Sequence, residues 1–218
     1  AKAAAMAAAF AASFTSGQLG LEKFTFALTD RVTFSWLLAA RLLLLGLVFG
    51  LIGGLFALSL HKLKALLEKA LQNPILRILL LGIGVSVLSL LCWGGRYSGL
   101  GTNLISMSFE TGVFPWDFAL KLLFTVITLS AGFQGGEVTP LFAIGAALGA
   151  VLGPLLGLPA AFVAALGYAA VFGSATNTLL APILIGAEIF GFDYLPFFFV
   201  VCTLAYLCNG NLSIYPLQ

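Results

Sequence analysis

The stretch that decides the fold reads GGEVTPLFAIGAALG and spans Gly135 to Gly149. It holds one formal charge, the carboxylate of Glu137, at the edge of an apolar run rich in small residues. Thr139 and Pro140 follow that carboxylate as an N-cap residue and a first-turn proline would, so we expect a helix to begin there. If the run enters a bilayer, a charge at the midplane costs at least about 2.5–3.5 kcal/mol, which marks Glu137 as a candidate functional residue.

The predicted helix start offers a small anion a favourable place to bind. The first amides of a helix lack intrahelical partners and carry about half a positive charge from the helix dipole. Gly135 and Gly136 remove side chains where an ion would approach the backbone. An anion there repels ionised Glu137, so anion binding favours the protonated carboxyl and links the two ions. A structural carboxylate, paired with a backbone amide or a distant arginine, is the alternative interpretation.

The composition predicts a membrane protein. Of the 218 residues, 61% are hydrophobic and 8% are charged, and the mean hydropathy is +1.12, whereas about a quarter of a soluble domain is charged. The ten basic residues are scattered and the net charge is +2, which argues against a nucleic-acid partner. Cys92, Cys202 and Cys208 have no CxxC pairing and no neighbouring histidine, so we expect free thiols and neither a metal site nor a cofactor.

The first apolar segments predict long helices and one cytoplasmic turn. An Ala-rich helix, a polar loop, a long helix and a further apolar run are expected at Ala3–Phe14, Thr15–Arg31, Trp36–Lys69 and Ile75–Trp93. Glycines at spacing four in the long helix favour close backbone packing against other helices. The tail HKLKALLEKALQNPILR is the densest basic patch, so the positive-inside rule makes it cytoplasmic. The connection Gly94–Trp116 is then an external loop, with Arg96 a loop arginine.

The second half of the chain predicts short, broken and tilted helices. Apolar segments occur at Phe118–Ala131, Thr139–Leu156, Ala160–Phe172, Thr178–Ile189 and Pro196–Leu207. Several are shorter than the about 20 residues that a spanning helix needs. Broken backbone is tolerated in hydrocarbon only where protein buries it or a polar cavity adjoins it, and transporters use such half-helices to hold ions. Ordinary spans with tilt or mismatch are the alternative.

Three stretches carry a resemblance to a known family. GGEVTPLFAIGAALG resembles the signature of the CLC chloride channels and transporters, and GGEVTP resembles the fluoride/proton antiporter branch. The chloride branch usually has an aliphatic–aromatic pair in place of Glu137 and Val138, and alanine in place of Thr139. FGSATNTLLAPILIGAEIFG, which ends beyond Glu188, is similar to the family's proline-bearing helix of small polar residues. CNGNLSIYPLQ is similar to the terminal segment whose tyrosine, here Tyr215, faces the central anion site.

The resemblance implies roles for individual residues. It implies anion contacts at Gly135, Gly136, the backbone of Val138 and Thr139, and the Tyr215 hydroxyl. It places Glu137, Thr139 and Tyr215 on the proton route. A phenol with an ordinary pKa near 10 suits a hydrogen-bond donor better than a titrating group. From the residues alone, Tyr215 fits an interfacial aromatic equally well, and Asn209 and Asn211 fit turn formers.

The resemblance also implies an architecture and an activity. It implies an all-α integral membrane fold of inverted repeats, with a helix and loop at 1–31, the second repeat at 32–218, and the first repeat and its gating glutamate absent. The implied activity is proton-coupled fluoride export through a buried glutamate in a bacterial-type inner (plasma) membrane. The implied partners are fluoride or chloride, protons, lipid, the missing N-terminal half and a second copy. The homodimer contact would use the Ala-rich first helix and the helices near Ile183 and Phe198.

Three alternatives remain open. One is a chloride/proton exchanger or chloride channel of the same family, against which Glu137 and Thr139 argue. Another is a membrane-embedded enzyme, which needs a nucleophile–base pair or metal ligands. The only histidine, His61, lies between lysines on the basic tail and suits lipid headgroups or solvent, so no enzyme is expected. The third is a structural subunit, which would have no reason to bury a glutamate beside a helix start.

Overall fold

The structure, a computed structural model, describes residues 2–21, 25–29, 32–110 and 112–215, and its regular elements in these ranges are helices. Arg31, where the first region was predicted to end, and 216–218 of the terminal motif lie outside the described residues. The helices are α1 (Lys2–Gln18), α2 (Trp36–Ala70), α3 (Pro74–Leu91), α4 (Thr102–Phe109), α5 (Asp117–Ala131), α6 (Val138–Leu155), α7 (Ala160–Thr176), α8 (Leu180–Phe190) and α9 (Leu195–Cys208). The all-helical fold class is confirmed.

Helix lengths agree with the predicted mixture of spanning and shorter elements. Among the described residues, α2, α3 and α6 are long and apolar enough to cross a membrane. The apolar helices α7, α8 and α9 have 17, 11 and 14 residues, fewer than the about 20 of an untilted span. The structure adds α4 inside the connection that was predicted to be a loop. An eight-residue helix is marginal by itself, and α4 forms because Leu104 and Ile105 are buried against the core.

Glycines on α2 bring three helices together. A Cβ added at Gly50 would lie 2.8 Å from the Ala205 carbonyl oxygen of α9, and one added at Gly53 would lie 2.5 Å from Ser174 Oγ of α7. The close approach also allows the Ser174 hydroxyl to donate a hydrogen bond to the Gly50 carbonyl at 2.7 Å. The predicted backbone-to-backbone packing of the long helix is therefore confirmed.

The α6–α7 pair forms the centre of the molecule. Gly145 and Gly167 face each other so closely that a Cβ on either would overlap the backbone of the other. Gly149 meets the Val163 carbonyl in the same way one turn further along. Helix α7 is buried on all sides from Phe162 to Thr176, as expected of a helix that is apolar all round. The pair thereby fixes the position of the α6 start, where the predicted site lies.

A buried ion pair anchors the start of α5. The Asp117 carboxylate is fully buried and accepts hydrogen bonds from the Arg96 guanidinium at 2.6 and 3.2 Å, the Tyr97 hydroxyl at 2.7 Å and the Phe114 amide at 2.9 Å. One turn later, buried Lys121 donates to the Tyr97 and Gly99 carbonyls. Interpreting Arg96 as a simple loop arginine was therefore incomplete, because its partner is distant in sequence and becomes visible only after folding.

Replacing Asp117 by alanine is expected to destabilise the protein by about 3–5 kcal/mol, because Arg96 and Tyr97 would keep their buried polar groups without the acceptor. Thermal unfolding of the purified protein in detergent measures the effect. Glu110→Ala is the matched control, since Glu110 is an exposed carboxylate in the same connection. Equal melting temperatures for the two variants would contradict a stabilising role for the ion pair.

The predicted homodimer contact used the helices near Ile183 and Phe198, and the structure shows which side chains of these helices face outward. Ile183 and Phe198 are buried within the chain, with 4% and 0% of their surface exposed, because α8 and α9 pack on each other at Gly186. The exposed apolar side chains of these helices are their neighbours Leu184 and Phe199. An outward apolar surface exists on α8 and α9, but the two named side chains do not form it.

Candidate functional site

The candidate site begins with the irregular segment that joins α5 to α6. Helix α6 starts at Val138, and its N-cap residue is Glu137, which makes no side-chain capping bond. The prediction of Thr139 as the N-cap was therefore wrong by two positions, whereas Pro140 does lie in the first turn, as predicted. Pro140 fits the third position because the first four helical amides have no intrahelical acceptor, so a residue without N–H loses nothing there.

Uncapped amides point out of the α6 start. The first intrahelical bond of α6 runs from the Leu141 amide to the Glu137 carbonyl at 3.1 Å. Within the described part of the chain, the amides of Val138 and Thr139 have no acceptor, and Pro140 has no amide hydrogen. These two N–H groups are the ones that the family resemblance implies as anion contacts. The positive end of the α6 helix dipole lies at these amides, and it favours a bound anion there.

The two glycines before the helix leave open space. Gly135 and Gly136 are exposed, and a Cβ added to either would meet nothing within 4 Å. Both line a cavity of about 380 Å³ that also reaches Lys121 and Pro140. Neither neighbouring atoms nor a positive φ requires glycine at these positions. The chain therefore presents bare, accessible backbone immediately before the candidate anion site.

Glu137 faces a polar cavity and is only partly buried. The cavity measures about 390 Å³ and is lined by Leu60, His61, Lys64, Leu129, Glu137 and Ile214. The sequence predicted a buried glutamate, and the structure places its side chain between buried and exposed. The carboxyl shares its cavity with the imidazole of His61 and the ammonium of Lys64, both from the end of α2. The basic tail therefore lies beside the site, where its charge favours an approaching anion.

Tyr215 and Glu137 are brought together by the fold. Burial raises the pKa of the Tyr215 phenol above its ordinary value near 10, and the Glu137 carboxyl raises it further by its charge and a side-chain hydrogen bond. A raised pKa favours the neutral phenol, so Tyr215 remains a hydrogen-bond donor at neutral pH. This agrees with the interpretation of Tyr215 as a donor rather than a titrating group.

The terminal segment is held in place by bonds to α7. The Ile214 amide donates to the Ala175 carbonyl at 2.9 Å, and the Ser213 hydroxyl donates to the Thr176 carbonyl at 3.2 Å. The preceding turn depends on Asn209, whose side-chain amide donates to the Ser174 and Leu212 carbonyls. The interpretation of Asn209 as a turn former is confirmed. These bonds fix the backbone from which Tyr215 reaches the site.

His61 was missed as a neighbour of the site. Its ring Nε2–H donates to the Ser213 carbonyl at 2.6 Å, across 152 positions of sequence. His61 is exposed, as expected of a residue that suits solvent or headgroups, but the sequence did not predict its contact with the terminal segment, against which the end of α2 packs. No local sequence signal could have found this contact, since the residues around His61 form an ordinary basic helix end.

Thr139 and Glu137 line different cavities. Thr139 lines a second cavity, of about 280 Å³, together with Thr102, Ile105, Ser106, Phe142 and Tyr168. The structure therefore brings Glu137 and Tyr215 together and places Thr139 beside different neighbours. The described residues contain no group of three His, Cys, Asp or Glu side chains that could hold a metal ion.

Comparisons with known proteins give the family. The protein-family model described as voltage-gated chloride channel matches residues 1–210. A relative from Pseudomonas syringae pv. tomato, named chloride/fluoride channel protein, is 40% identical over 182 residues, covering 79% of this chain and 40% of that protein. A solved structure, described as the crystal structure of a CLC-type fluoride/proton antiporter, matches with a TM-score of 0.94 and 54% identity, covering 97% of this chain and 54% of that chain.

These matches extend along nearly the whole of the present sequence, while the chain spans only about half the length of the proteins it matches. The resemblance first seen in GGEVTPLFAIGAALG is therefore confirmed well beyond that stretch. The chain belongs to the voltage-gated chloride channel family, as a membrane protein similar to its CLC-type fluoride/proton antiporters.

Proposed function

We propose that this chain supplies the anion and proton site of a fluoride/proton antiporter. The observation that carries the proposal is the α6 start, where two uncapped amides, of Val138 and Thr139, adjoin the ionisable carboxyl of Glu137. The phenol of Tyr215 lies beside that carboxyl as a protonated donor. An anion and a proton can thus be held within one small region.

The arrangement couples the two ions through charge. Fluoride bound to the Val138 and Thr139 amides is repelled by an ionised Glu137, so its binding favours proton uptake by the carboxyl. When the proton leaves, the renewed negative charge favours release of the anion. Linked occupancy does not by itself set the direction of transport; from the likeness to the fluoride/proton antiporter we propose that protons move inward as fluoride moves outward. The Lys64 ammonium raises the local concentration of anions at the cavity that Glu137 lines.

Fluoride is the preferred substrate for reasons specific to this sequence. Glu137 and Thr139 occupy positions where the chloride branch of the family has other residues. The similar solved protein is described as a fluoride/proton antiporter, and the Pseudomonas relative is named for both chloride and fluoride. The helix start alone would suit either halide, so a chloride/proton exchanger or chloride channel is the second candidate.

The assembly is proposed to follow the family pattern. The domain proposal remains a helix and loop at 1–31 and a second inverted repeat at 32–218, with a first repeat completing the transporter. A homodimer in a bacterial-type plasma membrane would use the exposed apolar faces of α8 and α9, including Leu184 and Phe199. Helix α1, exposed along Ala3 to Phe14, is available to the same contact.

Ion selectivity tests the proposed function. The protein in its full native length is reconstituted in liposomes loaded with potassium fluoride or potassium chloride, and ion-selective electrodes record efflux after a potassium ionophore is added. We expect fluoride efflux well above that of protein-free liposomes and chloride efflux at least about tenfold slower, a difference of about 1.4 kcal/mol. Equal rates for the two halides would favour the chloride-transporting alternative.

A further inference from the structure

His61 links the cavity beside Glu137 to the exposed end of α2. The residue is exposed, yet it also lines the cavity of about 390 Å³ into which the Glu137 carboxyl faces. Of the residues lining that cavity, Leu129 and Ile214 carry no ionisable group, and Lys64 is the other basic one. An imidazole, unlike an ammonium, exchanges its proton readily near neutral pH. His61 is therefore the group in this cavity best suited to pass a proton on.

One hydrogen bond determines which ring nitrogen of His61 carries a hydrogen. The ring Nε2 lies 2.6 Å from the Ser213 carbonyl oxygen, which can only accept, so Nε2 carries a hydrogen in either charge state. The neutral ring then has its lone pair on Nδ1. Nδ1 makes no hydrogen bond to any residue that the structure describes. The imidazole is thus held by one nitrogen and can take up or release a proton at the other.

A single short segment holds both His61 and Glu137. The Ser213 carbonyl accepts the hydrogen bond from His61, and two residues later the Tyr215 phenol donates one to the Glu137 carboxyl. The Tyr215 amide donates to the Ser213 hydroxyl at 3.1 Å, which fixes the turn between these two contacts. Ile214, between them, lines the shared cavity. The carboxyl and the imidazole are therefore held at the same cavity by adjacent parts of the terminal segment.

We propose that His61 relays protons between Glu137 and the aqueous solution at the end of α2. The proposal rests on the proposed function and deepens it by naming the residue that takes the proton onward. A polar cavity of this size has room for water. Protonated Glu137 gives its proton to water in the cavity, and that water gives a proton to Nδ1 of His61. The imidazolium then gives the Nδ1 proton to the solution and returns to its neutral form with the hydrogen on Nε2.

The surrounding charges favour a short-lived imidazolium. Lys64, one turn further along α2, lines the same cavity, and its ammonium disfavours a second positive charge there. Ionised Glu137 has the opposite effect, because its negative charge favours the imidazolium. Leu129 of α5 and the neutral phenol of Tyr215 add no charge. His61 is therefore stabilised in neither charge state alone, as a relay requires.

His61→Gln tests the relay, because the glutamine amide can still donate to the Ser213 carbonyl but cannot carry a proton. With the protein of full native length in liposomes, we expect fluoride/proton exchange to be about tenfold slower. The loss is smaller than the about 10²–10⁴-fold typical of a positioned acid–base group, because water also reaches this exposed end of the cavity. Fluoride affinity by calorimetry and the number of protons exchanged per fluoride should stay unchanged, since Glu137 is intact. Lys62→Gln, at the adjacent exposed residue outside the cavity, is the matched control and should exchange at the wild-type rate.

Imidazole added at equal concentration on both sides of the membrane separates a relay from a structural role. As a soluble proton carrier it should accelerate His61→Gln several-fold and leave the wild-type rate unchanged. A His61→Gln protein as fast as wild type, or a slow one that imidazole does not accelerate, would overturn the relay alone. Wild-type protein that exchanges no protons for fluoride would overturn the proposed function and the relay together. A slow variant that imidazole accelerates, with the wild-type ratio of protons to fluoride, supports the relay.

Discussion

Glu137→Gln is expected to reduce fluoride-coupled proton movement to the level of protein-free liposomes. Glutamine keeps the size and polarity of the side chain but can neither take up nor release a proton in this pH range. Since proton uptake at Glu137 is the step that couples the two ions, fluoride efflux should no longer drive protons in the opposite direction. Simultaneous recording with a fluoride electrode and a pH electrode measures both ions in one preparation.

The control for this variant is Glu68→Gln, which removes an exposed carboxylate from the same end of the molecule. It should leave both ion movements unchanged, because Glu68 does not line the cavity that Glu137 shares with His61 and Lys64. Glu137→Gln protein that still exchanges protons for fluoride at the wild-type rate would refute the proton role of Glu137. The same result would then favour a structural carboxylate.

Gly145→Ala is expected to cause a large loss of stability. The added methyl group would overlap the Gly167 carbonyl and approach the Tyr168 amide nitrogen, and both are backbone atoms. Backbone cannot rotate away as a side chain can, so α6 and α7 would have to separate. We expect a loss of about 3 kcal/mol or more in the free energy of unfolding, at the upper end of overpacking effects. Thermal unfolding and size-exclusion profiles in detergent measure it.

Gly84→Ala provides the opposite case in the same protein. Gly84 lies inside α3, and a Cβ added there would meet nothing within 4 Å. Alanine in a helix interior is more favourable than glycine by about 0.5–1 kcal/mol, so this variant should be slightly stabilised. If Gly145→Ala and Gly84→Ala both unfolded at the wild-type temperature, the close α6–α7 backbone contact would not contribute to stability as proposed.

The sequence predicted the features that depend on local pattern. Trp36 to Lys69 was identified as one long helix because its apolar run is continuous, and the structure extends it only to Ala70. Its glycine spacing predicted close packing, which Gly50 and Gly53 confirm. The uncharged surroundings of Glu137 drew attention to the α6 start, which does carry free amides. Each of these signals lies within a single segment.

Features that depend on contacts between distant segments could not be predicted. His61 reaches the terminal segment only because α2, α7 and α9 pack through glycines, and Asp117 finds Arg96 only after α5 has docked. The position of the helix start was also missed by two residues, since Pro140 is compatible with several places in a first turn.

The most direct test of proton-coupled fluoride export is whether a proton gradient alone can move fluoride against its concentration gradient. Liposomes containing the protein of full native length, with equal fluoride on both sides and an imposed pH gradient, are followed with a fluoride electrode while the membrane potential is clamped at zero. Fluoride/proton exchange predicts that fluoride leaves the more alkaline compartment and accumulates in the more acidic one until the pH gradient collapses. Fluoride that stays evenly distributed, while still exchanging rapidly in the absence of a gradient, would contradict proton coupling and indicate a passive channel.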